Sequence, residues 1–146
     1  MHSEYRFLLD KANNDRSVGA IVVSGEGDSF CVGGDSQALQ GHSARGSYDS
    51  GVSSDLASPG YGIDERFDAT FAYHYGLNKP IIAAINGAAA GVGLALAAFA
   101  DIRFAVPKAK LTTAHGKLNL PAEYGLSWVL PRIVGLGRAN DLLLTS

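Results

Sequence analysis

A single cysteine, Cys31, leaves nothing for it to bridge within the chain. A disulfide framework is therefore excluded, and a reducing, cytoplasmic setting is the expectation. No basic segment followed by an apolar one opens the chain in the manner of a secretory signal. Charge of either sign is scarce in excess: 12 Lys and Arg against 14 Asp and Glu leave a formal −2, dispersed along the sequence. That distribution excludes the basic footprint of a nucleic-acid binder or of an anionic-membrane anchor. No internal repeat is visible, and His42, His74 and Asp35 lack the spacing of metal ligands. A long uninterrupted apolar run is also missing. Residues 80–100 approach the length of a membrane span, but Asn86 and several glycines break the pattern, so a buried strand and helix of a layered domain is the better reading.

What the chain does have is glycine, 18 of 146 residues, enough to imply many tight turns in one domain. The sequence is organised around residues 80–104, PIIAAINGAAAGVGLALAAFADIRF. Residues 80–85 read as a strand, residues 87–93 as a glycine-punctuated turn, and residues 94–100 as an alanine-rich helix stopped at Asp101. Glycines let backbone come close to a ligand, and the first amides of a helix have no partner inside it, so such a turn attracts negative charge. The spacing of Gly87, Gly91 and Gly93 also fits the glycine turn of a short-chain dehydrogenase. In that fold, however, the turn follows the first strand, whereas about eighty residues precede it here. Tyr75 and Lys79 form a Tyr-x-x-x-Lys pair but lie before the turn, out of that order.

Taken from the start, residues 1–18 place Tyr5, Leu8, Leu9 and Ala12 at helical spacing, closing near Asn13 and Asn14. Residues 18–23, VGAIVV, read as a strand buried on both faces of a parallel sheet. Residues 24–35, SGEGDSFCVGGD, give a turn, an extended piece around Phe30, and a second glycine pair. A polar, small-residue stretch over 36–61 reads as a surface loop of the kind that covers pockets. Weak helical spacing resumes over 63–77. After the central helix come short apolar runs at 102–106 and 111–115, a loop over 116–125, a run over 128–133 that leads to another glycine turn, and a final helix from Arg138. Trp128, Tyr124 and Leu130 read as core or pocket wall, and Cys31 as a small hydrophobe.

Three stretches in order, VGAIVVSGEGDSFCVGGD, KPIIAAINGAAAGVGLALAAFADIRFA and LPAEYGLSWVLPRIVG, resemble the enoyl-CoA hydratase/isomerase family, the crotonase superfamily, over roughly residues 18–145. The resemblance implies an α/β crotonase-like spiral of ββα units (the ClpP/crotonase fold), present here in part. Residues 1–146 would be a single core domain lacking the N-terminal strands and the C-terminal helical part usual in the family. It also implies a homo-oligomer, trimer or hexamer, and an acyl-CoA or enoyl-CoA thioester as substrate, with coenzyme A part of that substrate and no separate cofactor. No metal, nucleic acid or membrane is implied.

By position in the family pattern, the backbone amides of Gly34 and Val92 would form an oxyanion hole for the thioester oxygen. Gly33, Asp35, Gly91 and Gly93 would shape the substrate site around them. Two preorganised N–H donors aimed at a developing enolate lower its barrier, each by about 3 to 4 kcal/mol. The two glutamates of typical hydratases fall on Ala95 and His115, neither a carboxylate, and alanine cannot position water. Glu123 lies where some family isomerases carry a catalytic carboxylate and is the lead base; His115, an imidazole able to serve as acid, base or donor, is the candidate helper. The expected activity is hydration or double-bond isomerisation of enoyl-CoA. The alternatives are a non-catalytic CoA-thioester-binding remnant and an NAD(P)-dependent short-chain reductase.

Overall fold

The computed structural model describes residues 1–33, 65–67, 71–119, 121–122 and 124–146. Helix α1, His2–Asn14, turns Leu9 into the core while Leu8 stays exposed. Its last carbonyls, on Ala12 and from the following Asp15, are met by the Lys79 ammonium, a cation where the helix dipole favours one. Strand β1, Ile21–Ser24, and strand β2, Ser29–Cys31, follow, with a short turn between them. Two 3-10 segments, Glu65–Phe67 and Ala72–Gly76, lead to strand β3, Ile81–Ile85, and strand β4, Ala88–Ala90. Helix α2, Val92–Phe99, then precedes strands β5, Ile102–Ala105, and β6, Leu111–Thr112. Helices α3, His115–Leu118, α4, Leu126–Val134, and α5, Leu136–Thr145, complete the described chain.

The strands form two parallel three-stranded sheets, β1-β3-β5 and β2-β4-β6. Each successive strand pair gives one strand to each sheet, and α2 carries the chain from the second pair to the third. This is the ββα winding expected, and a repeat of topology where no repeat of sequence is visible. Between the sheets and the C-terminal helices lies α2, every residue of which is buried. Its alanines leave room for backbone on all sides, and its C-terminal carbonyls are held by the Arg103 guanidinium, which donates to Ala98 at 3.2 Å and to Ala100. Asp101 then closes the register of β3: its carboxylate accepts the Ile81 amide at 2.8 Å, and its own amide donates back to the Ile81 carbonyl at 2.9 Å.

Three expectations are corrected. The turn read over 87–93 contains a strand, β4, and α2 begins two residues earlier, at Val92. The stretch 116–125 is not all loop, because α3 starts at His115. Strand β1 is half-buried on one face and open on the other, with Val22 63% exposed. The loop read over 36–61 lies outside the described residues.

Candidate active site

Strand β2 pairs in parallel with β4, Ser29 opposite Ala88 and Cys31 opposite Ala89. This pairing lays the first glycine motif beside the second, although they are some sixty residues apart in sequence. At Gly33 a side chain would have the Ala90 carbonyl as its nearest neighbour, 3.7 Å away. Gly91 turns the chain from β4 into α2 at φ 53° and ψ −116°, a conformation open to glycine and strained for other residues. Its amide donates to the Thr112 carbonyl at 3.1 Å, so β6 holds the other side of the turn. Gly93 is set by contact instead: a Cβ there would lie 2.0 Å from the Cys31 carbonyl oxygen. Val92 opens α2, its amide among those with no acceptor inside the helix, and the residue is buried. Gly33, Gly91, Val92 and Gly93 are thus gathered where β2, β4 and α2 meet.

Gly34, Asp35 and Glu123 lie outside the described residues. His115 is described: it opens α3 three residues after Thr112, and is 4% exposed. Ala95 sits one turn into α2, fully buried, with no carboxylate in the place where the family pattern would put one. Cys31 is a free thiol in β2 whose backbone carbonyl meets the second motif at Gly93.

Other polar residues prove to be structural. His74 is buried against the rings of Tyr5, Phe71 and Tyr73, and its Nε2 hydrogen-bonds the Tyr5 hydroxyl at 3.1 Å. Burial lowers its pKa to about 4, against the opposing pull of the Phe99 backbone and the Asp101 carboxylate, so it is neutral at pH 7. Burial likewise raises the Tyr5 and Tyr73 hydroxyls above the usual tyrosine range. An open groove of about 530 Å³ runs between Tyr75, Ala98, Asp101, Arg103, Trp128 and Arg132. It lies at the C-terminal end of α2, about 12 Å of helix away from the glycine turns. Leu130 is core, Tyr124 packs against it, and Trp128 is a groove wall with the Arg132 guanidinium 3.9 Å over its ring.

Sequence reading used Asn86 only as a polar break in an apolar run and gave it no role. In the structure its side chain makes four hydrogen bonds to the β1–β2 connection. The available signal was that Asn86 is the only polar side chain between Pro80 and Asp101.

Two parallel sheets wound from ββα units around a buried helix, with two glycine motifs abutting at its N-terminus, define a crotonase-fold protein. The chain belongs to the enoyl-CoA hydratase/isomerase family, whose model matches residues 1–146. It is 38% identical over 144 residues to the probable enoyl-CoA hydratase EchA14 of Mycobacterium tuberculosis, covering 99% of this chain and 51% of that protein. It is 33% identical over 144 residues to the 1,2-epoxyphenylacetyl-CoA isomerase of Escherichia coli, covering 99% and 52%. Among solved structures, the enoyl-CoA hydratase of Bacillus anthracis superposes with a TM-score of 0.75 at 27% identity, over 99% of this chain and 51% of that one. That of Polaromonas sp. JS666 gives 0.70 at 31%, over 95% and 50%. The chain thus spans about half the length of the relatives it matches. The reductase alternative is set aside, since the chain belongs to this family and its glycines do not make one strand-to-helix turn: Gly87 stands between β3 and β4, strands of different sheets, while Gly91 and Gly93 follow β4.

Proposed function

We propose that this chain carries the thioester-activating core of an acyl-CoA-processing enzyme, acting on enoyl-CoA by hydration or double-bond isomerisation. The amides of Gly34 and Val92 receive the thioester oxygen and stabilise the enolate that forms when charge moves onto it. Gly33, Asp35, Gly91 and Gly93 shape the substrate site, Glu123 is the base, and His115 assists in moving the proton. The substrate brings coenzyme A with it, and no further cofactor takes part. One observation carries the reading: β2 pairs with β4 so that Gly33 reaches the Ala90–Gly91 turn from which Val92 opens α2. A helix N-terminus adds its positive dipole end to that spot. The names of the similar proteins, enoyl-CoA hydratase and 1,2-epoxyphenylacetyl-CoA isomerase, supply the substrate class.

Ala95 favours isomerisation by a single base over water addition by a carboxylate pair, because it has no oxygen with which to hold water. The same residue supports the second reading, a non-catalytic CoA-thioester binder. A reducing cytoplasm is the proposed setting, and a homo-oligomer the proposed assembly.

The test is calorimetric binding of crotonyl-CoA to the wild-type chain and to Glu123→Gln, with turnover of both. Binding by both chains, with turnover in the variant lowered about 100-fold or more, is expected of a lost general base. Wild-type turnover in Glu123→Gln would remove that residue from the chemistry. Binding with no turnover in either chain would select the non-catalytic reading.

A further inference from the structure

Asn86 sits at the end of β3, half-buried, facing the connection between β1 and β2. Its Nδ2 donates to the carbonyls of Gly25 at 3.1 Å and Gly27 at 2.8 Å, with Ser29 more distant at 3.4 Å. Its Oδ1 accepts the Gly25 amide at 3.1 Å. One side chain therefore fixes the path by which the chain leaves one sheet and enters the other. The next residue presses the same connection: a Cβ on Gly87 would lie 1.9 Å from the Asp28 carbonyl oxygen. At the far end of the second motif, Gly93 makes the equivalent backbone approach to Cys31. The register between β2 and β4 shifts between Ser29 and Cys31, so the ladder is locally interrupted beside this connection.

We infer that Asn86 is a positioning residue for thioester activation: its amide clamps the β1–β2 connection so that the first glycine motif meets the second at a fixed offset. The inference rests on the reading above, in which one backbone donor comes from each motif. The spacing of the two donors is then the spacing of the motifs, and a misplacement of about 1 Å in such a site lowers the rate by about 100-fold. The groups that Asn86 satisfies are partly exposed, Gly27 most of all, and water can replace the lost bonds. Removing the side chain therefore loosens the offset more than it unfolds the chain.

The test compares wild type, Asn86→Ala and Asn86→Asp. Aspartate keeps the shape but turns oxygens toward carbonyls, so it separates hydrogen-bond donation from the filling of space. The probe is crotonyl-CoA carrying 13C at the thioester carbonyl. Binding to wild type should lower the carbonyl stretching frequency, as two donors polarise the bond. Both variants should return at least half of that shift, with kcat lowered about 10- to 100-fold and KM changed by less than about 3-fold. A wild-type shift and kcat kept by both variants, or by Asn86→Asp alone, overturns the inference and leaves the proposed function standing. A wild-type chain that leaves the bound carbonyl at its free frequency overturns the proposed function and this inference with it. If neither variant folds, amide exchange in free wild type decides: a Gly25 amide protected before ligand is added supports the clamp, and one protected only after ligand is added overturns it.

Discussion

At the scale of single residues, the glycines of this chain differ sharply in what a methyl group would meet. A Cβ on Gly93 would fall 2.0 Å from the Cys31 oxygen and 2.7 Å from the Cys31 Cβ, inside packed backbone that has no flexible end to move. A Cβ on Gly19 would meet nothing within 4 Å. Gly93→Ala should therefore destabilise the chain by about 2 kcal/mol or more, as overpacking does, whereas Gly19→Ala should stay within about 0.5 kcal/mol of wild type. Urea unfolding midpoints measure both, and equal midpoints for the two variants would show that β2 does not press on α2 as described. This contrast was only half legible in the sequence. Glycine at 87, 91 and 93 announces close backbone, but which strand approaches is a matter of pairing across sixty residues. For the same reason the role of Asn86 was not legible, since its partners, Gly25, Gly27 and Ser29, are distant in the chain.

At the scale of elements, α1 is tied to the core by a few contacts of mixed kind. The Asn78 amide donates to Asn13 at 2.8 Å, Lys79 reaches the carbonyls beyond Ala12, and Tyr5 pairs with His74. His74 makes this docking depend on pH. Its folded pKa of about 4 lies below the unfolded value near 6.5, so the unfolded chain binds the extra proton between those two values. Stability is then fully present above about pH 6.5 and falls by up to about 3 kcal/mol as pH drops toward 4. Tyr5 and Tyr73 stay protonated across that window, so they do not offset the loss. Asp15, held below its ordinary value by the Ser17 hydroxyl, responds only at more acid pH. Urea unfolding at pH 7.5 and 4.5 should show a larger drop for wild type than for His74→Gln, and equal drops would mean that His74 is not buried neutral. The elements were legible in proportion to how locally they are determined. Helix α1 and strand β3 follow from spacing and apolar runs, and both were expected within a few residues of where they lie. Strand β4 is three alanines of low strand preference, made a strand by β2 and β6 on either side. Helix α3 is a single turn held by the chain's last residues, with the Gly116 amide on the Ser146 hydroxyl at 2.8 Å and Thr113 on the Leu142 carbonyl at 2.6 Å. No local pattern encodes either.

At the scale of the whole molecule, the sheet β1-β3-β5 has two unlike faces. Ile81, Ala83 and Ile85 point into the core and are almost fully buried. On the opposite face the register aligns Val22, Ile82 and Ile102 in one row and Ser24, Ala84 and Phe104 in the next. Val22 is 63%, Ile102 46% and Phe104 66% exposed, so the 146-residue chain presents a contiguous apolar strip across three strands. The strand reading of residues 18–23 as buried on both faces follows from the same side chains: Val22 has the character of an interior residue, and sequence alone does not say that the described chain leaves it uncovered. A strip of this kind lowers its free energy by meeting another like it, at about 25 cal/mol for each Å² removed from water. Sedimentation velocity across a range of concentrations should show the chain self-associating, with mass rising on dilution's reversal. The double variant Val22→Thr, Phe104→Ser should shift that association to markedly higher concentration while leaving the circular dichroism spectrum unchanged, because neither side chain contributes to the core. Identical sedimentation of wild type and variant would show that the strip takes no part in self-association, and any association seen would then fall to the exposed side chains of the C-terminal helices, Trp128, Ile133, Leu136 and Leu144.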